Sequence, residues 1–422
     1  MIRLVRLLAC ILSALAVGVV IDVAPSRAAD TPEVVIGAIY PMSGSTAQTG
    51  IDARYAIETA VEIVNEAVDV DLPLGPGAGL PHLGNARLRV VFADHQGDPQ
   101  KGRAEAERLI TEQKVVALIG TFHSSVAAVV SQVAERYQIP FLVADSSSPS
   151  LHRRNLKWFF RTSPHDEMFS AAMFEFFADL KQAKSIAVDR VSLFHEDTLF
   201  GTDSATVQRR IAGERGITVL GDVKYKSNSP SLTAEVEQLK AAGAPVLMPS
   251  SYTTDAILLI KTMAELGYRP DAIVAQAAGF SEQAFIEAVG ARAEGIISRG
   301  SFALDLAAKR PMIATVNALY RQRSGKDLND NTARQLMGAL VLADAIDRAG
   351  SVEPAAIRAA LQQTDLPGER TIMPWRGIRF DETGQNTQAS PVLQQIQSGA
   401  YKTVWPFDLA SAPVIWPLPA TH

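Results

Sequence analysis

Val34-Val35-Ile36-Gly37-Ala38-Ile39 is apolar throughout, and a stripe at helical spacing follows it: Ala53, Ala56, Ile57, Ala60, Val61 and Val64. An unbroken apolar run is what a parallel strand buried on both faces requires, and the stripe makes an amphipathic helix. The pattern then repeats. Leu88–Ala93 and Val115–Gly120 read as strands, Val126, Val129, Val130, Val133, Ala134 and Tyr137 as a helix face, and Ile139–Ala144 as a strand. Strands separated by helices of this length make βαβ units, hence a mainly parallel sheet covered on both faces.

The alternation starts afresh after Arg161. Helix faces through Phe169–Leu180, Val207 and Ile211, Val236 and Leu239, and Ala256–Met263 alternate with strands at Ile186–Phe194, Ile217–Val223, Val246–Met248 and Ala272–Ala275. Two such series fit two doubly wound α/β lobes better than one oversized sheet. Asp69–Asn85, rich in Pro and Gly, reads as a surface excursion between the first helix and the second strand. No repeat at solenoid period and no low-complexity tract is present.

The first residues address a compartment rather than a fold. Arg3 and Arg6 precede an apolar run from Leu7 to Ile21, and Ser26-Arg27-Ala28 ends in small residues at the positions a signal peptidase reads. This is the layout of a cleaved secretory signal over residues 1–28, too short in its apolar part to be an anchor. A lipoprotein site at Leu7-Leu8-Ala9-Cys10 would leave almost no apolar segment before the cysteine. The chain is therefore expected to be exported. Cys10 is its only cysteine, so the exported part needs a core that stands without disulfides. After cleavage about 390 residues remain, enough for two or three domains.

Composition is ordinary, with 47% hydrophobic and 20% charged residues and a net charge of −5. No basic concentration points to nucleic acid or an anionic membrane. No later run is long and apolar enough to span a bilayer.

Ligands of open parallel sheets sit beyond the carboxyl ends of the strands, near helix N-termini. Two loops stand there. Gly120-Thr121-Phe122-His123-Ser124-Ser125 leads into the Val126 helix and brings hydroxyls and free amides to its positive end, a seat for a carboxylate. Asp145-Ser146-Ser147-Ser148-Pro149 adds three hydroxyls and an acid at the next strand end. Taken alone, each loop reads first as a helix cap and a polar turn, the commoner use of serine. Their pairing on consecutive strands brings a ligand seat level with that reading.

At these residues the chain resembles the substrate-binding proteins of ABC importers in the leucine/isoleucine/valine-binding family, the type I periplasmic binding proteins. The stretch from Val35 to Gly44 with Gly50 and the helix to Asn65, the turn Asp94-His95-Gln96-Gly97-Asp98-Pro99, and Val116–Ser125, Ile139–Pro149 and Phe159–Thr162 are similar to the family pattern in order. Leu193–Gly201, Ala264–Gly267, Ala293–Gly295 and Trp375–Gly384 continue it. The resemblance implies two lobes hinged by three crossovers, near Arg161, Ser298 and Asn386. Lobe one would then hold residues 29–160 and 299–386, and lobe two 161–298 and 387–422.

The resemblance also implies site residues. Thr49 falls where the first loop reaches the ligand side chain, and Ser124 and Ser147 fall where a ligand carboxylate is held. Phe200 and Tyr252 fall on aromatic positions of lobe two. Amino-acid-binding members usually place an acid for the ligand ammonium in the loop that is Gln276-Ala277-Ala278-Gly279-Phe280 here, and none is present. Gln276 remains a candidate contact of that loop. Asp145 is then either the ammonium or amide partner, or a structural acid paired with a nearby Arg or His or capping its own turn. His123 is either a ligand donor or the partner of Asp145. If neither touches ligand, carboxylates without an amine, such as aromatic or keto acids, fit better.

Enzyme patterns are missing. There is no G-x-S-x-G; His195-Glu196 fails H-E-x-x-H at Leu199; Gly75–Gly79 lacks a glycine at Leu80 for a dinucleotide fingerprint. The seven histidines show no metal spacing. The expectation is a monomeric, cofactor-free, metal-free periplasmic receptor that passes a small carboxylate-bearing, amino-acid-like solute to the membrane permease of an ABC importer. The alternatives are a receptor for organic acids or small amides, and an exported sensor. A hydrolase on a borrowed binding fold would instead consume its ligand. Trp405, Pro406 and Trp416 are expected to pack against a lobe.

Overall fold

Glu33–Tyr40 (β1) alternates its side chains between two separate cores: Val34, Ile36, Ala38 and Tyr40 enter one, Val35 and Ile39 the other. That is the signature of a strand covered on both faces. The computed structural model describes residues 32–420, so the expected signal segment lies outside the described residues. The first helix, Ala47–Asn65 (α1), returns the chain to Arg87–Asp94 (β2), which pairs parallel to β1 along its whole length. Pro99–Thr111 (α2) and Ser124–Tyr137 (α3) flank Leu118–Gly120 (β3); Phe141–Val143 (β4) and Phe159–Arg161 (β5) complete the sheet. Its order is β2-β1-β3-β4-β5, all parallel.

After Arg161 a second sheet is built. Asp166–Lys184 (α4) leads to Arg190–Glu196 (β6), then Leu199–Glu214 (α5), Thr218–Tyr225 (β7), Thr233–Ala242 (α6) and Val246–Ser250 (β8). Thr253–Glu265 (α7), Ala272–Ala275 (β9), Gln283–Val289 (α8) and Ile297–Gly300 (β10) follow. The chain then goes back to the first sheet with Met312–Ser324 (α9), Asp330–Ala349 (α10) and Pro354–Gln362 (α11), and with the small hairpin sheet of Asp365–Pro367 (β11) and Gly377–Arg379 (β12). It ends in Val392–Gln397 (β13) and Ala400–Trp405 (β14), antiparallel additions to the second sheet. The second order is β14-β13-β10-β9-β8-β6-β7.

Both parallel series reverse direction once, between β1 and β3 and between β6 and β8. These are the topological switch points at which open α/β sheets leave a crevice. Packing against the first sheet is close where α10 crosses it: a Cβ on Gly338 would lie 2.9 Å from the Ala144 Cβ. The crossing segments lie side by side, with Arg161 N donating to Gly384 O (2.8 Å) and Asn386 N to Arg161 O (2.9 Å).

Two local expectations need correction. The excursion after α1 is not purely superficial, because Val70, Leu72 and Leu80 are buried in the lobe-one core. The strand read from Ile186 begins only at Arg190 and runs on to Glu196, leaving Ile186 and Val188 as packing residues outside the ladder. Trp405 and Trp416 pack against lobe two as expected, Trp405 as a residue of β14. The Trp405 indole N–H donates to Asp179 Oδ2 at 2.8 Å.

Candidate functional site

The four segments that leave the two switch points converge. Thr46, His123, Thr198 and Tyr252 are the N-cap residues of α1, α3, α5 and α7, and none of them caps its helix with a side-chain hydrogen bond. By contrast, Asp98 caps α2 by accepting from the amides of Gln100 and Lys101. The four uncapped residues line one cleft of about 170 Å³, together with Ser45, Ser125, Ser227, Thr254 and Asp255 among others. The residues come from both lobes, and no lysine or arginine lines it. A larger hollow of about 310 Å³ lies at the amino ends of the strands, beneath Leu418 and Pro419, away from these helix ends.

The lobes touch around the cleft. Tyr252 of lobe two lies against His123 and Phe122 of lobe one, with ring centroids 4.6 and 5.2 Å away, and against Phe200 at 5.3 Å. Thr254 Oγ1 donates to Ser45 O at 3.0 Å, and Ser148 Oγ donates to Asp203 Oδ2. Phe200, Tyr252 and Phe122 join the apolar core of lobe one, so this contact is continuous with it.

His123, Tyr252 and Phe200 are thus brought together, with Ser124 beside His123 at the start of α3. Thr49 is buried in the first turn of α1, one helical turn from the lining residues Ser45 and Thr46. The other candidates are held by the protein itself. Asp145 accepts from the Phe122 amide (3.1 Å) and from Gln335 Nε2 (2.5 Å). Burial raises its carboxyl, against the opposing pull of Arg334 and of those two bonds. Neither ring nitrogen of His123 reaches Asp145: Nε2 lies 3.4 Å from Thr46 Oγ1, and Nδ1 has no partner. Burial, with His95 beside it, keeps that imidazole neutral.

Ser124 Oγ accepts from the Ser148 amide at 3.3 Å and Ser146 Oγ donates to Phe122 O at 3.0 Å, so the two serine loops are fastened to one another. Ser147 Oγ accepts from Arg299 Nη2 at 3.3 Å. Gln276 donates to Asp166 Oδ1 (2.9 Å) and accepts from Gln208 Nε2 (3.1 Å), which engages both ends of its amide inside lobe two.

Several polar residues of this region escape a sequence reading. Asn331, Arg334 and Gln335 lie on α10, the most buried helix, and reach Glu282 and Asp145. Arg299 and Asp166 form a fully buried pair near the crossing segments (N···O 3.4 Å). Glu196 ends β6 and is wholly buried, accepting from Thr198 Oγ1 and from Ser227 Oγ (3.3 Å). The signal for Glu196 was available: it is the acid at the carboxyl end of the first strand of the second series.

Among the described residues no helix could cross a membrane and no cluster could hold a metal ion. Residues 33–400 match the family model described as periplasmic binding protein. The chain belongs to the periplasmic binding protein family, of the type I, ABC-transporter class. It is 27% identical over 381 residues to a Leu/Ile/Val-binding protein homolog 7 of Brucella suis, covering 89% of this chain and 92% of that one. The fold matches LivJ of Streptococcus pneumoniae, solved with isoleucine (TM-score 0.74, 17% identity, 91% of this chain and all of that one). It also matches a solute-binding protein of Rhodopseudomonas palustris BisB5, solved with 3,4-dihydroxybenzoic acid (TM-score 0.72, 17% identity, 87% and 95%). These relatives are binding proteins rather than enzymes.

Proposed function

We propose that this protein captures a small carboxylate-bearing, amino-acid-like solute in the cleft between its lobes and delivers it to the permease of an ABC importer. The observation that carries the reading is the convergence of four uncapped helix N-termini on one cleft without a cationic side chain. Free amides at the positive ends of helices favour an anion, and a carboxylate takes several of them at once. Thr49 and Ser124 stand beside those amides in the first turns of α1 and α3, while Tyr252 and Phe200 cover the ligand from lobe two. Contacts from both lobes make the closed form the one that ligand selects, and closure is the signal a transporter reads.

Relatives of similar fold divide between isoleucine and an aromatic acid, and the rings of Phe122, His123, Phe200 and Tyr252 suit either an apolar side chain or a flat one. A thermal-shift screen of the exported protein tests the reading, using L-amino acids, aromatic acids, keto acids and small amides. A ligand present at about 100 times its dissociation constant adds about 2.7 kcal/mol. Stabilisation by at least one carboxylate is expected. Stabilisation by neutral amides alone, or by nothing in the panel, would reject a carboxylate receptor. A sensor would bind equally well, yet deletion of its gene would leave uptake of the radiolabelled ligand intact.

A further inference from the structure

We propose that Glu196 and Asp255, in lobe two of the cleft, form a subsite for the ammonium group of the ligand and so replace the acid absent from the 276–280 loop. The inference rests on the receptor reading above and makes the ligand a zwitterion.

Geometry supports it in three ways. The first is position. Glu196 ends β6 and Asp255 stands in the first turn of α7, so both flank the β6/β8 switch point. Asp255 lines the cleft directly; Glu196 stands just behind Thr198 and Ser227, which also line it. Both hydroxyls donate inward to Glu196. A hydroxyl that donates inward turns its lone pairs outward, so Thr198 and Ser227 present acceptors to the cleft.

The second is the want of a counter-charge. Asp255 is 2% exposed and Glu196 is fully buried. Among the described residues neither carboxylate has a Lys, Arg or His partner; Asp255 Oδ2 accepts only from the Asn228 amide (3.0 Å), and Oδ1 has no bond. Two acids buried side by side cannot both ionise without a large cost, and a ligand cation lets them do so.

The third observation is independent of the acids. His123 Nδ1, from lobe one, is buried on the cleft wall without a hydrogen-bond partner. A neutral imidazole offers a lone pair to an N–H group, and the adjoining Tyr252 face is a seat for a cation. In this arrangement Asp255, Thr198 and Ser227 touch the ammonium, and Glu196 acts through the two hydroxyls as a positioning residue that supplies charge.

The groups facing Glu196 are Asp255 on α7, Asp197 in its own loop, Tyr225 on β7 and Tyr252. Burial pushes the Glu196 carboxyl up to about 8, against the Thr198 bond, and Asp255 and Asp197 add to the rise. At neutral pH the empty site therefore holds a proton on Glu196, and a bound ammonium expels it.

The test is calorimetry on the exported protein with the twenty L-amino acids, and with the α-keto acid matching each one that binds. Titrations in two buffers of different ionisation enthalpy at pH 7 count the protons released. The proposal expects at least one L-amino acid to bind with proton release and its keto acid to bind at least tenfold more weakly. Asp255→Asn and Glu196→Gln, each checked for an unchanged far-ultraviolet spectrum, should weaken the amino acid about tenfold or more, and Glu196→Gln should abolish the release. A keto acid that binds as well as its amino acid, or both variants keeping full affinity, would overturn the subsite and leave the carboxylate receptor standing. An aromatic or keto acid as the only ligand would do the same. Binding by neither amino acids nor amine-free acids would reject both readings.

Discussion

The ring of Tyr252, delivered by the loop after β8, lies 4.6 Å from the imidazole of His123, delivered by the loop after β3. One side chain from each lobe thus bridges the two switch points. An aromatic pair is worth about 0.5–1.5 kcal/mol beyond its burial, and Tyr252 also meets Phe122 and Phe200. Tyr252→Ala is therefore expected to weaken ligand about tenfold and to shift the empty protein toward open forms. A radius of gyration from small-angle X-ray scattering that stays at the wild-type value in the variant would deny that role.

Asp145 fastens two loops of lobe one through the Phe122 amide and Gln335. Asp145→Ala leaves both donors buried without a partner, at a cost of about 2–4 kcal/mol. Asp145→Asn keeps an oxygen for the Phe122 amide. Its new N–H group meets Gln335 once that amide turns over, and Gln335 Oε1 is otherwise unbonded. The asparagine variant should stay within about 1 kcal/mol of wild type in urea denaturation. Equal losses in the two variants would mean that the charge, not the bonding, matters here.

The strand and helix alternation was legible because buried parallel strands are continuous apolar runs, as in Val34–Ile39, and the helices carry clear stripes. The excursion from Asp69 misled because its composition is that of a loop while Leu72 and Leu80 fill a core gap that only the folded chain defines. The loops at Ser124 and Ser147 were readable as strand-end loops. Their internal fastening was not, since Gln335 and Arg299 come from more than 150 residues away. Asp145 stands out in the sequence as the odd acid of these loops; its bonds to Phe122 and Gln335 are visible only in the fold, as is the burial of Glu196 and Asp255 without a basic partner.

Arg161 ties the crossing segments. Its Nε donates to Gln385 Oε1 (2.6 Å) and its Nη1 to the carbonyls of Ser146 (3.2 Å) and Ser148 (2.8 Å). Arg161→Met would leave these buried acceptors bare and should cost about 3 kcal/mol or more. Hydrogen exchange locates the damage: amides of residues 159–163 and 384–388 should lose protection first, while those of β8 and β9 keep it. Uniform loss of protection across both sheets would place the effect elsewhere.

The same burial that builds the site sets a pH optimum for the empty protein. Burial raises Glu196 to about 8 and Glu282 to about 7, both above the ordinary glutamate value of 4.5. A folded state that holds its protons more tightly than the unfolded chain is favoured below pH 4.5 and loses that advantage as pH rises through 7 and 8. His95 behaves in the opposite sense. Burial lowers it to about 4, so its contribution is present above pH 6.5 and is lost as pH falls through 4. The ligand-free melting temperature should therefore be highest at mildly acidic pH and fall on the alkaline side between pH 6 and 8.5. Glu282→Gln keeps an oxygen for the Asn331 amide, which bonds Oε1 in the native protein, and removes the titrating proton. It should flatten part of that alkaline limb, by about 2 °C or more at pH 8. Calorimetric scans at fixed ionic strength read the effect directly. A wild-type melting temperature that climbs from pH 6 to 8.5, or a Glu282→Gln curve parallel to it, would show that the buried glutamates are already ionised in the empty protein.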